Sequence, residues 1–88
     1  NKLFREKKKE IQREINRRKK KIQDLENQIT LLEEEINLIE KNFQDLEFIN
    51  NLDKLDNLNK VFIEKKSVLS KLYEEWEIVT EELIELEK

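Results

Sequence analysis

The chain has 88 residues, of which 44% are charged, and a formal net charge of −3. A length of this size allows one small domain with a thin hydrophobic core. The sequence contains no Gly, Pro, Cys or His. These absences exclude disulfides, glycine-rich phosphate loops and triads with a histidine base, and they leave the chain without strong helix breakers.

The first predicted element is a long helix that follows a heptad seam of apolar residues. Spacings of three and four residues alternate along the seam, which gives the period of 3.5 at which α-helices wind around one another. Lys8 and Arg18 replace an apolar residue at two seam positions. The pattern predicts a helix over about residues 1–46, with a seam made of Phe4, Ile11, Ile15, Ile22, Leu25, Ile29, Leu32, Ile36, Ile39, Phe43 and Leu46.

A break at about residues 47–54 predicts a turn, because the second seam does not continue the register of the first. Asn50 and Asn51 tolerate the left-handed backbone conformation that tight turns often require. Asp53 could then cap the next helix. Phe48 and Ile49 also lie in this segment, where they either close the end of the core or form an apolar tip that contacts a partner.

The second predicted helix covers about residues 55–87. Its seam has the same period, with Lys65 at one position, and contains Leu55, Leu58, Phe62, Leu69, Leu72, Trp76, Val79, Leu83 and Leu86. We expect Trp76 to be buried opposite Leu25, and Tyr73 to flank the seam with its hydroxyl in water.

Two arrangements could bury these seams. Ile at position a with Leu at position d, as in the first seam, is typical of parallel two-stranded coiled coils, so a homodimer is an alternative. However, residues 1–22 carry a net charge of +8 and residues 74–88 a net charge of −6. A parallel dimer would stack like charges, whereas a hairpin places Arg18 among glutamates. We therefore predict an all-α fold, a monomeric two-helix antiparallel coiled-coil hairpin, with residues 1–12 extending past the second helix as a frayed end or a continuous helix.

The main functional signal is a run of basic residues in the first helix. Steps of four and three residues place four of them on one line, which spans about 16 Å at 1.5 Å per residue. This basic ridge consists of Lys9, Arg13, Arg17 and Lys20, with Lys21 beside it. A ridge without aromatic residues would recognise nucleic-acid backbone and shape rather than bases. The alternatives are a solvated face paired with the acidic second helix, or another acidic partner.

Catalysis is not expected in this chain. Carboxylates are plentiful, but acid–base or metal chemistry needs them to converge in a desolvated pocket, which a two-helix hairpin does not offer. We expect no metal or cofactor. No apolar run approaches the roughly 20 residues of a membrane span, so no membrane partner is expected, and the absence of Cys favours an intracellular setting.

Several stretches resemble the C-terminal coiled-coil domain of ABC-F proteins. They are residues 5–15 (REKKKEIQREI), the repeated Ile/Leu-Glu pattern that follows, residues 53–58 (DKLDNL) and residues 72–77 (LYEEWE). ABC-F proteins are cytoplasmic ATPases with two tandem nucleotide-binding cassettes and no membrane domain. The family often has Asn-Pro where this chain has Asp45-Leu46, so we expect the first helix to run further here.

The resemblance implies a segment of a larger chain that follows the second cassette and contacts ribosomal RNA or DNA. ATP and Mg²⁺ would bind only in the cassettes, outside this chain, and residues 1–12 would be the linker helix that leaves the cassette. The basic ridge would then meet the phosphates. The second hypothesis is a structural scaffold that dimerises through the seams and binds no nucleic acid.

Overall fold

The computed structural model describes residues 1–88 and contains three helices. Helix α1 covers Lys2–Asn42, α2 covers Leu46–Ile49 and α3 covers Leu52–Glu87. Arg18 pairs with Glu82 and Lys65 pairs with Glu35, so the two long helices run antiparallel. The molecule is a rod of 73 × 16 × 14 Å. The predicted all-α helical hairpin is confirmed.

The core lies along the seam between α1 and α3. The four buried side chains all come from α1, and they are Leu25, Ile29, Ile36 and Ile39. The nine apolar seam residues of α3 are half-buried. A single partner helix shields a side chain from one side only, which explains why the core is thin.

Two aromatic residues of α3 differ from the sequence prediction. Trp76 is half-buried rather than buried, and it lines a cleft with Ile29, one helical turn beyond the expected Leu25. The hydroxyl of Tyr73 donates a hydrogen bond to Glu33 Oε2 at 2.9 Å. Tyr73 therefore links the two helices instead of leaving its hydroxyl to water alone.

The first long helix ends earlier than predicted. It stops at Asn42 rather than near residue 46, and the one-turn helix α2 follows. Asp45 has the extended backbone angles φ −80° and ψ 127° and caps α2, since its carboxylate accepts from the Glu47 N–H at 3.0 Å. The expectation that α1 runs on through Asp45-Leu46 is therefore wrong, because a capping aspartate starts a new helix there.

The residue that caps α3 is Asn51, not Asp53. The Asn51 side chain accepts from the Lys54 N–H at 3.2 Å, so α3 begins at Leu52 rather than near residue 55. No residue has a positive φ, so the predicted left-handed turn at Asn50 and Asn51 is absent. The chain reverses instead through two extended residues, Asp45 and Asn51, on either side of α2.

Helix α1 extends past α3 at the open end of the hairpin. Because Arg18 pairs with Glu82, the last residue of α3 lies level with Arg13. Residues 1–13, which we term the overhang, are exposed throughout and helical from Lys2. The seam residues Phe4 and Ile11 are consequently 68% and 48% exposed. Within the described residues this segment is helical and continuous with the rest of α1.

Candidate nucleic-acid interface

Three of the four residues of the basic ridge face away from α3, whereas Arg17 lines a cleft with Val79 and Glu82 of that helix. Successive residues of a helix are turned by about 100°, so Lys9, Arg13 and Lys20 lie on the side roughly opposite the buried Ile29. All three side chains are exposed. Packing of the second helix therefore leaves this part of the ridge open to a partner.

Two basic residues beside the ridge pair with the acidic end of α3. Arg18 donates to Glu14 on its own helix and from Nη2 to Glu82 Oε2 at 3.4 Å. The hydrogen bond to Glu14 is the main reason that the pKa of Arg18 lies above its ordinary value, and Glu82 adds to the effect. Lys21 Nζ lies 3.2 Å from Glu75 Oε1. Lys21, which the sequence placed at the site, is thus engaged within the hairpin.

Most of the basic run has no acidic partner. Arg17 Nη1 contacts Glu14 Oε1 at 2.8 Å, although the Arg17 side chain is 74% exposed. Eight of the 11 Lys and Arg residues in residues 1–22 make no ion pair, and they are Lys2, Arg5, Lys7, Lys8, Lys9, Arg13, Lys19 and Lys20. Pairing with the acidic helix therefore accounts for Arg18 and Lys21 but not for Lys9, Arg13 or Lys20.

The overhang adds Arg5, Lys8 and Gln12, which the sequence prediction did not place at the site, beside the ridge residue Lys9. Arg5, Lys8, Lys9 and Gln12 line a shallow open cleft on α1. The three cations stand at spacings of three and four residues, where like charges repel each other on a helix. A bound anion would relieve that repulsion. The step of four residues from Arg5 to Lys9 was the signal in the sequence, because it continues the ridge line by one helical turn, whereas Lys8 lies to one side of that line.

At the tip of the hairpin, Phe48 and Ile49 have the two different roles that the sequence analysis gave as alternatives. Phe48 is half-buried and lines a cleft with Leu58 and Val61, so it closes the end of the core. Other apolar side chains of the tip are exposed, and they are Leu46, Ile49 and Leu52. Ile49 thus stays accessible to a partner, whereas Phe48 belongs largely to the hairpin itself.

No group of three or more His, Cys, Asp or Glu side chains is arranged to hold a metal ion. None of the three helices combines the length and the apolar composition needed to cross a membrane. Comparisons of the chain with protein-family models, with curated proteins and with solved structures gave no match. The function is therefore inferred from the placement and charge of the chain's own residues.

Proposed function

We propose that this chain is a non-catalytic module that contacts the phosphate backbone of ribosomal RNA or DNA through the basic ridge of α1. One observation carries this proposal. Lys9, Arg13 and Lys20 are exposed, make no ion pair, and lie on the face turned away from α3. A row of unpaired cations on a rigid helix suits a polyanion, because phosphate binding releases condensed counterions.

The composition of this surface favours contacts that do not depend on base sequence. No aromatic residue occurs between residues 5 and 42, so the ridge offers no platform on which unstacked bases could stack. Lys and Arg side chains on phosphates fix position and orientation without reading sequence. The module would therefore recognise the backbone and shape of a structured nucleic acid.

We further propose that the parent protein is an ABC-F-type cytoplasmic ATPase, in which ATP and Mg²⁺ bind upstream of this chain. The resemblance of residues 5–15 and 72–77 to the C-terminal domain of that family supports this assignment. The turn is compatible with it. Asp45 is an N-cap and Leu46 is the first helical residue, which are the positions that Asn and Pro favour.

The alternative, a scaffold that dimerises through its seams, has less support. In the hairpin the seams of α1 and α3 bury each other along most of their length. A parallel homodimer would have to open that core and would also bring the basic ends together. Only the seam residues of the overhang remain free for another chain.

Charge reversal of the ridge tests the proposed function directly. Replacing Lys9, Arg13 and Lys20 with Glu should reduce affinity for a structured RNA or a DNA duplex at least about tenfold, because several phosphate contacts are lost. The matched control replaces Lys41, Lys60 and Lys71, which are exposed and make no ion pair. Circular dichroism should show both variants to be as helical as the parent chain. Equal losses of affinity in the two variants would show that net charge, and not the ridge, controls binding.

A further inference from the structure

Four exposed apolar residues in the middle of the rod share one face of the hairpin, which we term the lateral face. At its centre is the ion pair between Glu35 Oε2 and Lys65 Nζ, 2.7 Å apart. On each helix the charged residue follows one apolar residue by four positions and precedes another by three, so the three side chains share a line. The apolar residues are Leu31 and Leu38 on α1 and Val61 and Val68 on α3. The leucines are 62% and 61% exposed and the valines 40% and 49%, so this face has no partner within the hairpin.

The apolar residues of the two helices lie at matching levels along the rod. The central ion pair joins residues whose numbers add up to 100, so other residues of α1 and α3 that add up to about 100 also share a level. Leu31 lies about one residue, or 1.5 Å, from the level of Val68. The same is true of Leu38 and Val61. The lateral face therefore consists of one ion pair between two apolar levels.

We propose that two copies of this chain pack side by side through the lateral face and form a four-helix bundle. A two-fold axis parallel to the rod places α1 of each copy against α3 of the other at the same level. Every helix then has two antiparallel neighbours, as in an up-down four-helix bundle. Both hairpins keep their own core, and the same contact is made twice, as in any isologous interface.

This arrangement brings the two central ion pairs together around the axis. Glu35 and Lys65 of both copies lie at one level, and α1 and α3 alternate around the bundle. The four charges therefore form a ring of alternating sign, in which each lysine has a glutamate on either side. Lys65 replaces an apolar residue of the α3 seam. A polar residue at such a position can fix register and the number of helices at a cost in stability, and the ring gives Lys65 that role.

The second copy covers the exposed apolar residues on either side of the charge ring. Leu31 of one copy faces Val68 of the other, and Leu38 faces Val61 in the same way. Removing these side chains from water favours association, because burial of apolar area is the main driving force of most protein–protein contacts. The matching levels allow both apolar contacts and the ring to form at once.

Charge favours the parallel axis over a two-fold axis perpendicular to the rod. Residues 28–40 of α1 carry a net charge of −4, whereas residues 60–72 of α3, at the same level, carry +3. The parallel axis sets these two segments against each other, and it sets the basic residues 1–22 beside the acidic residues 74–88. A perpendicular axis would pack the acidic segment of one α1 on that of the other, and like charges across an interface oppose association.

The lateral face is separate from the basic ridge and from both chain ends. Lys9, Arg13 and Lys20 lie opposite the seam of α1 and stay on the outside of the bundle, so dimerisation and phosphate binding use different sides of the helix. The face lies 20 residues or more from Asn1 and Lys88. The contact therefore does not depend on either end of the chain.

Sedimentation equilibrium of the 88-residue chain over a concentration series tests the dimer. We expect the mass to rise from 10.8 kDa towards twice that value. Leu31→Ala with Leu38→Ala should weaken dimerisation at least about tenfold, because apolar area buried between the copies is lost. The matched control, Ile63→Ala with Ile84→Ala, also removes two exposed apolar side chains, but they lie about 140° or more around α3 from Val68. A monomer at every concentration, or an equal effect of the control pair, would overturn the proposal.

Charge reversal tests the ring independently of the apolar residues. Lys65→Glu alone and Glu35→Lys alone each place four like charges around the axis, so each should weaken dimerisation at least about tenfold. The double variant restores alternating signs and should dimerise like the parent chain.

Lys66→Glu is the matched control for damage to the hairpin. Lys66 Nζ lies 4.0 Å from Glu40 Oε1, so this variant also breaks a contact between α1 and α3, but Lys66 lies about 100° around α3 from Lys65 and outside the ring. Its dimerisation should equal that of the parent chain, and circular dichroism should show all variants to be helical. Unchanged dimerisation of the single variants, or a helical double variant that stays monomeric, would show that the two copies do not meet at this ring.

Discussion

Lys21 Nζ and Glu75 Oε1 lie 3.2 Å apart and join the basic helix to the acidic one. The neighbouring residue Lys20 points about 100° away around α1 and makes no ion pair. Adjacent cations of one run thus have different roles. Lys21 and Arg18 pair with glutamates of α3, whereas Lys20 belongs to the surface that α3 leaves open.

The different roles of Lys20 and Lys21 can be tested by measuring the RNA affinity of alanine variants. Lys20→Ala should lower affinity for a structured RNA and reduce the slope of log affinity against log salt by about one, the effect of losing one phosphate contact. Lys21→Ala should change both quantities less, because Lys21 is already paired with Glu75. Glu75→Gln should raise affinity by releasing Lys21. A larger loss from Lys21→Ala than from Lys20→Ala would contradict the assignment.

The sequence predicted the parts of the fold that packing controls. Heptad spacing located both seams, and the opposite charges of residues 1–22 and 74–88 favoured the antiparallel hairpin. The helix ends at the turn were predicted less well, because the apolar seam marks only the part of a helix that packs on its partner. Leu52 begins α3 but is exposed and lies outside the seam, so the predicted start came three residues late.

The position of the ridge could also be predicted from the sequence, but which of its neighbouring cations form ion pairs with α3 could not. Helical spacing placed Lys9, Arg13 and Lys20 on one line, and the structure leaves them without acidic partners. Lys21 looked equivalent to Lys20 in the sequence. Only the rotation of α1 against α3 shows that Lys21 reaches Glu75, since that rotation depends on how the two seams interlock.

The capping role of Asn51 gives a stability prediction. Asn51→Ala should lower the free energy of unfolding by about 1 kcal/mol, because the Lys54 N–H loses its side-chain acceptor. Asn50→Ala should change it by less than about 0.5 kcal/mol, since the Asn50 side chain caps no helix start and its φ of −86° suits any residue. Urea denaturation of both variants measures the difference. Equal costs would mean that α3 does not start at Leu52.

Trp76 carries a second stability prediction. Its indole Nε1 is buried without a hydrogen-bond partner in the protein, and the ring is only half-buried. Trp76→Ala should cost about 3 kcal/mol, the lower end of the range for truncating a core tryptophan. Trp76→Phe should cost less than about 1 kcal/mol, because an unpaired buried donor is removed together with part of the ring. Thermal and urea unfolding measure both costs. If Trp76→Phe cost as much as Trp76→Ala, the indole N–H would be important for stability and the prediction would be wrong.

The hydrogen bond from Tyr73 to Glu33 predicts a pH dependence. That bond, followed by desolvation and the charge of Glu33, raises the pKa of Tyr73 above its ordinary value of 10.0. The folded state therefore holds the phenolic proton more tightly than the unfolded state. This contribution to stability is fully present below pH 10.0 and is lost as the pH rises through the higher pKa of the folded state.

Tyrosinate absorbance measures this pKa without interference, because Tyr73 is the only tyrosine of the chain. Glu33→Ala should lower the pKa of Tyr73 towards its ordinary value. Glu34→Ala is the matched control, since Glu34 follows Glu33 in the chain and accepts no hydrogen bond from the Tyr73 hydroxyl. An identical titration in all three proteins would show that Tyr73 and Glu33 do not meet in solution.

The most direct test of the central claim is the affinity of this chain for a structured RNA and for a DNA duplex across a salt series. The exposed, unpaired ridge predicts binding whose log affinity falls linearly and steeply with log salt, by about 0.7 to 0.9 for each phosphate contacted. The preferred ligand would separate a ribosomal role from a DNA role. Absence of binding to either ligand at low salt would contradict the account, because the acidic helix would then mask the ridge that the structure leaves open.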